Sequence, residues 1–398
     1  MLAAATAAEC GAEVLLLEKN PLMGRKLGLT GKGRCNLTNR CDRDEFLRNV
    51  PVNPRFLYSA VSAFSPEDTI ELFEGLGVAL KTERGNRVFP VSDRAGDVVM
   101  ALKRYTDRSG VKTLHTAAVG VTAENGEISG VQTEQGFFQS RTVIIATGGL
   151  SYPATGSTGD GYRFAAELGH TIIEPRPSLV ALESSDGFCR ELAGLTLKNV
   201  ALRLFENGRE IYSDFGELLF THTGISGPTV ISASAHMRKK DALYRVELDL
   251  KPALTQEQLD ARVLREISAS PKQTLKNLLR SLLPASMCAP FCELSGVGGD
   301  TVVSVLSKAE RKTVVQRLKS FPIEGLKHGP AESAIITSGG VKTSEIDPAS
   351  MASKIVKGLY FAGEIIDTDA YTGGFNLQIA FSTARLAGRR AAEQTKGR

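Results

Sequence analysis

A chain of 398 residues is long enough for two or three packed units. Its hydrophobic fraction of 42% and charged fraction of 23% are those of an ordinary globular protein, and a net charge of +4 gives no electrostatic case for a nucleic-acid partner. The six cysteines stand at 10, 35, 41, 189, 288 and 292 without a C-x-x-C pair, and with only five histidines this argues against a metal site and for reduced thiols in a cytoplasmic protein.

In chain order, Leu2–Cys10 reads as an Ala-rich helix ended by Gly11. It lacks a basic leader and is interrupted by Glu9 and Glu13, so it is not read as a signal peptide, and no apolar run is long enough to span a bilayer. Val14–Leu17 is an apolar strand that ends on Glu18-Lys19. An acid at that strand tip is the ribose-binding carboxylate of a dinucleotide-binding βαβ unit, whose Gly-rich phosphate loop lies about 20 residues earlier. Counting back from Glu18 passes Met1, so the expectation is a first strand and G-x-G-x-x-G turn upstream of this chain, its loss leaving neighbouring strand edges unpaired.

Residues 20–39 read as a Gly-rich connection, followed by helices over 54–64 and 66–76, the second capped by Ser65, and over 93–108. Segments 111–122, 128–133 and 137–140 suggest a β-meander with turns at Asn125-Gly126 and Gln135-Gly136, and 142–146 a buried strand of the parallel kind. Beyond Ile173 the alternation over 178–183, 195–206, 209–213, 217–222, 229–234 and 243–250 predicts a small β-barrel or sandwich. Helical periodicity takes over in 255–283 and 307–321. From Ala334 the α/β grammar returns, with strands 335–337 and 359–362 and a helix over 377–390. The expected architecture is an α/β Rossmann-like domain over 1–174 and 334–398, interrupted by a β-barrel insertion at 175–254 and a helical subdomain at 255–333. Basic runs such as Arg238-Lys239-Lys240 and Arg389-Arg390 read as solvated ends of elements.

Three segments carry chemistry. In Gly24–Asn39 alternating glycines, Gly31 and Gly33 among them, let backbone amides approach a ligand, and Arg25, Lys26 and Arg34 supply charge beside a diphosphate. Thr147-Gly148-Gly149 follows a strand end, where ligands sit in open α/β sheets. Near the C-terminus a strand delivers Gly363, Glu364 and Asp367. Gly373-Gly374 then opens a helix through Phe375, Asn376 and Leu377, whose positive end suits the anionic edge of a reduced flavin. Gly296-Val297-Gly298-Gly299 has no leading strand and is not a second nucleotide fingerprint.

Together these strings resemble the BaiN/YhiN-type NAD(P)/FAD-dependent oxidoreductases, also called the aminoacetone oxidase family, over essentially the whole chain. The resemblance implies a glutathione-reductase-type FAD fold with the ribose on Glu18 and Lys19. The diphosphate and flavin would lie along Arg25, Lys26, Thr30, Gly31, Gly33, Arg34, Cys35 and Asn36. It further implies an adenine backbone contact near Val119, Thr147-Gly148-Gly149 beside the cofactor, and the flavin's ribityl and N1 side at Gly363, Glu364, Asp367, Gly373, Gly374, Phe375, Asn376 and Leu377. Lys32 stands where the family has glycine, and Thr383-Ala384 where Ser-Gly is common.

For catalysis His222, in a polar loop of the insertion, and Tyr371, near the terminal motif, are candidate proton donors, the alternative for His222 being a loop histidine bonded to backbone. Cys35 reads as a packed residue beside the cofactor. The reading is an FAD-dependent oxidoreductase moving hydride from NAD(P)H, a transient donor, to a small organic acceptor such as an activated C=C bond held between the FAD domain and the insertion. The alternatives are a truncated remnant that does not retain FAD, and an FAD-dependent tRNA-modifying protein. Oligomeric state is not legible.

Overall fold

The computed structural model describes residues 1–396 and divides the chain into two compact units. One is Met1–Ser178 together with the chain from Ala331 onward; the other is Leu179–Pro330.

In the first unit, the helix Leu2–Glu9 buries its alanines against the C-terminal helix Phe375–Lys396. The approach is close: a Cβ on Gly388 would lie 2.4 Å from the carbonyl oxygen of Ala3. The strand Leu15–Glu18 then pairs in parallel with Lys112–His115. The expected first meander strand therefore divides in two. Lys112–His115 joins the parallel ladder, and after a tight turn (Thr116 N–H to Leu114 C=O, 3.1 Å) Ala118–Glu124 starts an antiparallel sheet with Glu127–Thr133 and Gly136–Gln139. An unbroken alternating pattern cannot signal such a change of partner.

A second parallel pair joins Val143–Ile145 to Leu359–Phe361. Among the described residues no ladder connects the two parallel pairs. An antiparallel pair, Ile172–Ser178 with Ile336–Val341, and a small sheet ordered Thr38–Asn39, Arg87–Pro90, Leu80–Glu83 complete the unit's strands. The core beneath them includes Phe46, Ile145, Phe361, Ile365 and Phe375. The C-terminal helix starts at Phe375 and runs to Lys396, longer at both ends than its apolar periodicity.

The second unit is a seven-stranded antiparallel sheet. Its order is Phe321–Ile323, Tyr244–Asp249, Thr196–Glu206, Arg209–Phe220, Gly224–Ser226, Leu182–Glu183 and Lys327–His328. The expected barrel does not close, because no ladder joins the first strand to the last. The two strands are successive stretches of one run, separated by three residues, the first bonded to Tyr244–Asp249 and the last to Leu182–Glu183, and in the link the amides of Glu324 and Leu326 are taken by Asp186 Oδ2 (2.6 Å) and Tyr244 C=O (3.1 Å).

Residues 229–234, expected as a strand, belong to the helix Pro228–Ser234, with proline at its first position where the ring's φ suits a helix start. The segments 209–213 and 217–222 are one strand, Arg209–Phe220. Helices Gln256–Ala269 and Lys308–Lys319 each begin with a reciprocal capping box, Thr255 with Gln258 and Ser307 with Glu310. The helix Cys288–Ser295 has no counterpart in the sequence reading, where Pro284 ends the helical stretch. Phe321 stacks on Phe291 and meets Phe188 edge-on at the centre of the core. Among the described residues no helix is long and apolar enough to cross a membrane.

The tight helix pair yields a test whose sign is not obvious. Gly388→Ala gains about 1 kcal/mol of intrinsic helix propensity. The added methyl, however, meets backbone 2.4 Å away. We expect a net loss of about 1–3 kcal/mol in urea unfolding; a stabilised variant would show that the two helices separate easily.

Candidate functional site

Two segments far apart in sequence meet at one place in the first unit. After the helical turn Arg25–Leu29 the backbone takes a left-handed course, with φ of +57° at Gly31, +59° at Lys32, +85° at Gly33 and +59° at Cys35. It then enters the strand Thr38–Asn39, which lies against the start of the C-terminal helix. At Gly374 (φ +99°) a Cβ would fall 2.3 Å from the carbonyl carbon and oxygen of Thr38, so only glycine admits the strand.

Polar bonds fix the junction. The Asn36 amide, oriented to satisfy both its groups, accepts from Gly374 N–H (3.0 Å) and donates to Thr38 C=O (3.2 Å). Asn39 Nδ2 donates to Gly373 C=O (3.1 Å), and Thr38 Oγ1 to the buried Gln378 Oε1 (2.6 Å). Gln378 Nε2 in turn donates to Phe64 C=O and Ser382 Oγ. The first intrahelical bond, Gln378 N–H to Gly374 C=O, leaves the amides of Phe375, Asn376 and Leu377 at the positive end of a 22-residue helix. The Asn376 side chain holds the incoming chain by bonding both backbone groups of Ala370, Phe375 packs edge-on against Phe46, and Leu377 packs on the neighbouring core.

A second cluster gathers at the carboxyl ends of the parallel strands. Glu18 Oε1 accepts from Asn20 N–H (2.8 Å) and Asn20 Nδ2 (2.7 Å), leaving Oε2 without a donor among the described residues. Lys19 reaches Thr158 (2.5 Å) and Asp160 (2.6 Å) at the start of the helix Asp160–Glu167, and this contact holds the Asp160 carboxyl below its usual range. Lys26 Nζ donates to Glu364 Oε2 (2.5 Å) and Ser151 Oγ (2.6 Å). The other oxygen of Glu364 accepts from Thr337 N–H (2.8 Å) and Ser151 Oγ (3.0 Å), while Thr337 Oγ1 accepts from the amides of Leu150 and Ser151. Gly149 is small for a packing reason, because a Cβ there would meet Thr337 and Glu364. Thr147 is exposed at the strand end, and Gly148 turns left-handed beside it.

Other predicted residues have different surroundings. Arg25 donates to Asn20 Oδ1 (3.0 Å). Arg34 is bound to Glu83 and Asp93. Thr30 Oγ1 bonds Leu27 C=O, and burial pushes the neighbouring Cys35 thiol up to about 11. Val119, exposed, sits at a register irregularity and gives its carbonyl to Arg163 (3.1 Å). Gly363 N–H donates to Thr383 Oγ1. Asp367 is buried and accepts from Asn53 Nδ2 at its side chain (3.0 Å) and carbonyl (2.6 Å). Tyr371 is half-buried, its N–H on Asn49 C=O. His222 belongs to the second unit, exposed in a turn closed by Thr221 and Gly224.

Sequence reasoning passed over Ser151, Thr337, Asn20, Asn53 and Gln378. Asn20 carries a legible signal, an amide side chain two residues after the strand-tip acid. Thr337, next to Ser338-Gly339-Gly340 on a buried strand, carries a weaker one.

The family model described as HI0933-like protein Rossmann domain matches residues 1–390. The chain is 31% identical over 402 residues to a 3-dehydro-bile acid delta(4,6)-reductase of Clostridium scindens, covering 98% of this chain and 95% of that one. It is 32% identical over 397 residues to a ribosomal RNA dihydrouridine synthase of Haemophilus influenzae, covering 96% and 94%. Among solved structures, a quinol-fumarate reductase with menaquinol molecules aligns with 100% of this chain and 69% of its own at a TM-score of 0.51 and 15% identity, a likeness of fold.

Two measurements check the site. Thr38→Val keeps the side chain's shape but strips the buried Gln378 Oε1 of its donor, and should cost about 1–3 kcal/mol in chemical denaturation. Iodoacetamide near neutral pH should label the half-exposed Cys10 and spare Cys35, because the thiolate of a buried thiol raised to about 11 is scarce there; rapid labelling of Cys35 would contradict its burial.

Proposed function

The chain belongs to the HI0933-like family, and on that footing we propose that it is an FAD-dependent oxidoreductase that reduces a carbon–carbon double bond conjugated to a carbonyl. The observation that carries the reading is the junction of the left-handed loop with the glycine-led helix start, flanked by the Glu18 and Glu364 clusters. The donor set suits an adenine–flavin dinucleotide. Glu18 Oε2 at the strand tip is an acceptor ready for ribose hydroxyls. Gly33 has open space above its Cα, and the first-turn amides of Phe375–Leu377 stand at the positive end of the helix. Such a group, when bound, supplies two-electron hydride chemistry.

The chain's own residues bind and orient. Glu18 takes the adenosine end. Lys26 and Glu364, held by Ser151 and Thr337, offer a cation and a carboxylate at the strand ends. The helix start stabilises negative charge on the flavin's pyrimidine edge. Tyr371 and His222 remain the candidate proton donors, and NAD(P)H is the proposed reductant.

The substrate class is supported by the chemistry of two relatives' names. A delta(4,6)-reductase of a 3-dehydro bile acid saturates alkenes conjugated to a ketone. A dihydrouridine synthase saturates the ring C=C of uridine, which is conjugated to a carbonyl. A small-molecule enone is the first reading and fits the modest net charge of +4. The second is a uracil ring within ribosomal RNA, favoured by the Haemophilus influenzae relative.

The test is direct. The protein should quench FAD fluorescence on binding, and Glu18→Ala should weaken that binding about tenfold or more. With NAD(P)H, a 3-keto-4-ene steroid or a ribosomal RNA fragment should gain the mass of two hydrogens, and which of them does so separates the two readings. No FAD binding, or binding with neither product formed, would sink the proposal.

A further inference from the structure

The chain's resemblance to FAD oxidoreductases assigns Arg34 to the cofactor, yet in the structure its partly exposed guanidinium is paired with protein carboxylates. Nε and Nη2 donate to Asp93 Oδ1 (2.8 and 2.6 Å), and Nη2 also to Glu83 Oε1 (2.5 Å). Nη1 reaches Glu83 Oε2 at 3.4 Å, so four of the five N–H groups point at carboxylates. The plane also lies over the Phe89 ring, 4.2 Å from its centre. Lys81 adds a bond to Asp93 (2.7 Å), making a quartet of two cations and two anions. An anionic ligand approaching Arg34 would meet both carboxylates as well as the cation.

What Arg34 holds is unusual backbone. It lies at φ −95° within a run where Gly31, Lys32, Gly33 and Cys35 are all left-handed. Lys32 and Cys35 carry side chains that disfavour that region, whereas Asp93, also left-handed (φ +55°), is of a type that tolerates it. Strained backbone of this kind persists only where its surroundings over-determine it. The turn closes on itself through backbone bonds that include Arg34 N–H to Gly31 C=O (3.2 Å) and Cys35 N–H to Thr30 C=O (2.9 Å). Phe89, beneath Arg34, is also the side chain that a Cβ on Gly31 would touch at 3.4 Å. The hairpin Leu80–Glu83 and Arg87–Pro90 is therefore the floor on which the turn rests.

We propose that Arg34 is a positioning residue: it clamps the left-handed turn 31–35 to this hairpin through Glu83 and Asp93, and it shapes the cofactor site without contacting the cofactor. The inference rests on the FAD reading above. Asn36, which joins the helix start at Gly374, stands two residues beyond the clamp, so a loosened turn carries that junction with it.

The sign of one experiment separates clamp from ligand. FAD affinity is measured by fluorescence quenching for the wild type, Arg34→Ala, Arg34→Lys, the pair Glu83→Gln/Asp93→Asn, and the pair combined with Arg34→Ala. The clamp predicts that neutralising the two acids weakens FAD binding about tenfold, as losing the arginine does, and that the combined variant is no worse than either. Arg34→Lys, which keeps charge but loses the fork, should fail to rescue. Binding that is unchanged or tighter in Glu83→Gln/Asp93→Asn, or rescue by lysine, would overturn the proposal by revealing a direct charge contact.

Hydrogen exchange on the cofactor-free protein gives a second arm independent of FAD. Arg34→Ala should accelerate exchange in residues 31–36 and spare the helix Phe375–Lys396, and unchanged exchange in the turn would overturn the clamp. A wild type that binds no FAD fails the functional reading while leaving this arm decisive. A variant too unstable for titration is judged on the same exchange measurement, made on Arg34→Lys.

Discussion

One backbone contact organises the candidate site: the strand Thr38–Asn39 lies on the first residues of the C-terminal helix at a point where residue 374 has no side chain. From it follow the bonds of Asn36 and Asn39 to the two glycines, and the chain of buried hydrogen bonds from Thr38 through Gln378 to Ser382 and Phe64. Each of these groups is polar and largely enclosed, so each stays favourable only while its partner is in register. Any side chain at 374 would part the strand from the helix and leave several of them unpaired at once. The site is thus rigid on this side for reasons of packing and polar satisfaction together.

On the other side, charge sets the character. Lys19 is paired with Asp160, Lys26 with Glu364, and Arg34 with Glu83 and Asp93. A dinucleotide arriving beside Lys19 and Lys26 would trade protein–protein bonds for protein–ligand bonds, and the net gain at each of these two cations would be smaller than its formal charge suggests, while Arg34 keeps its carboxylates. Binding energy in such a site is drawn from other groups as much as from the cations: the carboxylate oxygen left open on Glu18, the helix amides, and the glycine faces.

Much of this was legible in the sequence, and the boundary of legibility has physical causes. Strand-tip acids, glycine strings and a glycine-led helix announce themselves locally, because each depends on a few consecutive residues. The resemblance to a known family then ties them together. The partners that hold them do not announce themselves. Ser151 and Thr337 are ordinary residues until folding brings them to Glu364, and nothing near Arg34 in sequence reveals Glu83 or Asp93. The same blindness explains the strand expected over 229–234, where alternation suited a strand but Pro228 begins a helix. It also explains the barrel, since alternation does not reveal that the first and last strands of the sheet are successive stretches of one run with different partners.

The 340 residues that separate Thr38 from Gln378 have a consequence for how the protein comes into being. On the ribosome the strand emerges early and waits, its polar groups in water, while the whole intervening chain is made. The second unit owns a separate apolar core and can condense in that interval. Closure between residues so remote is entropically dear and slow. Newly made molecules therefore cannot form this junction until the start of the C-terminal helix has been synthesised.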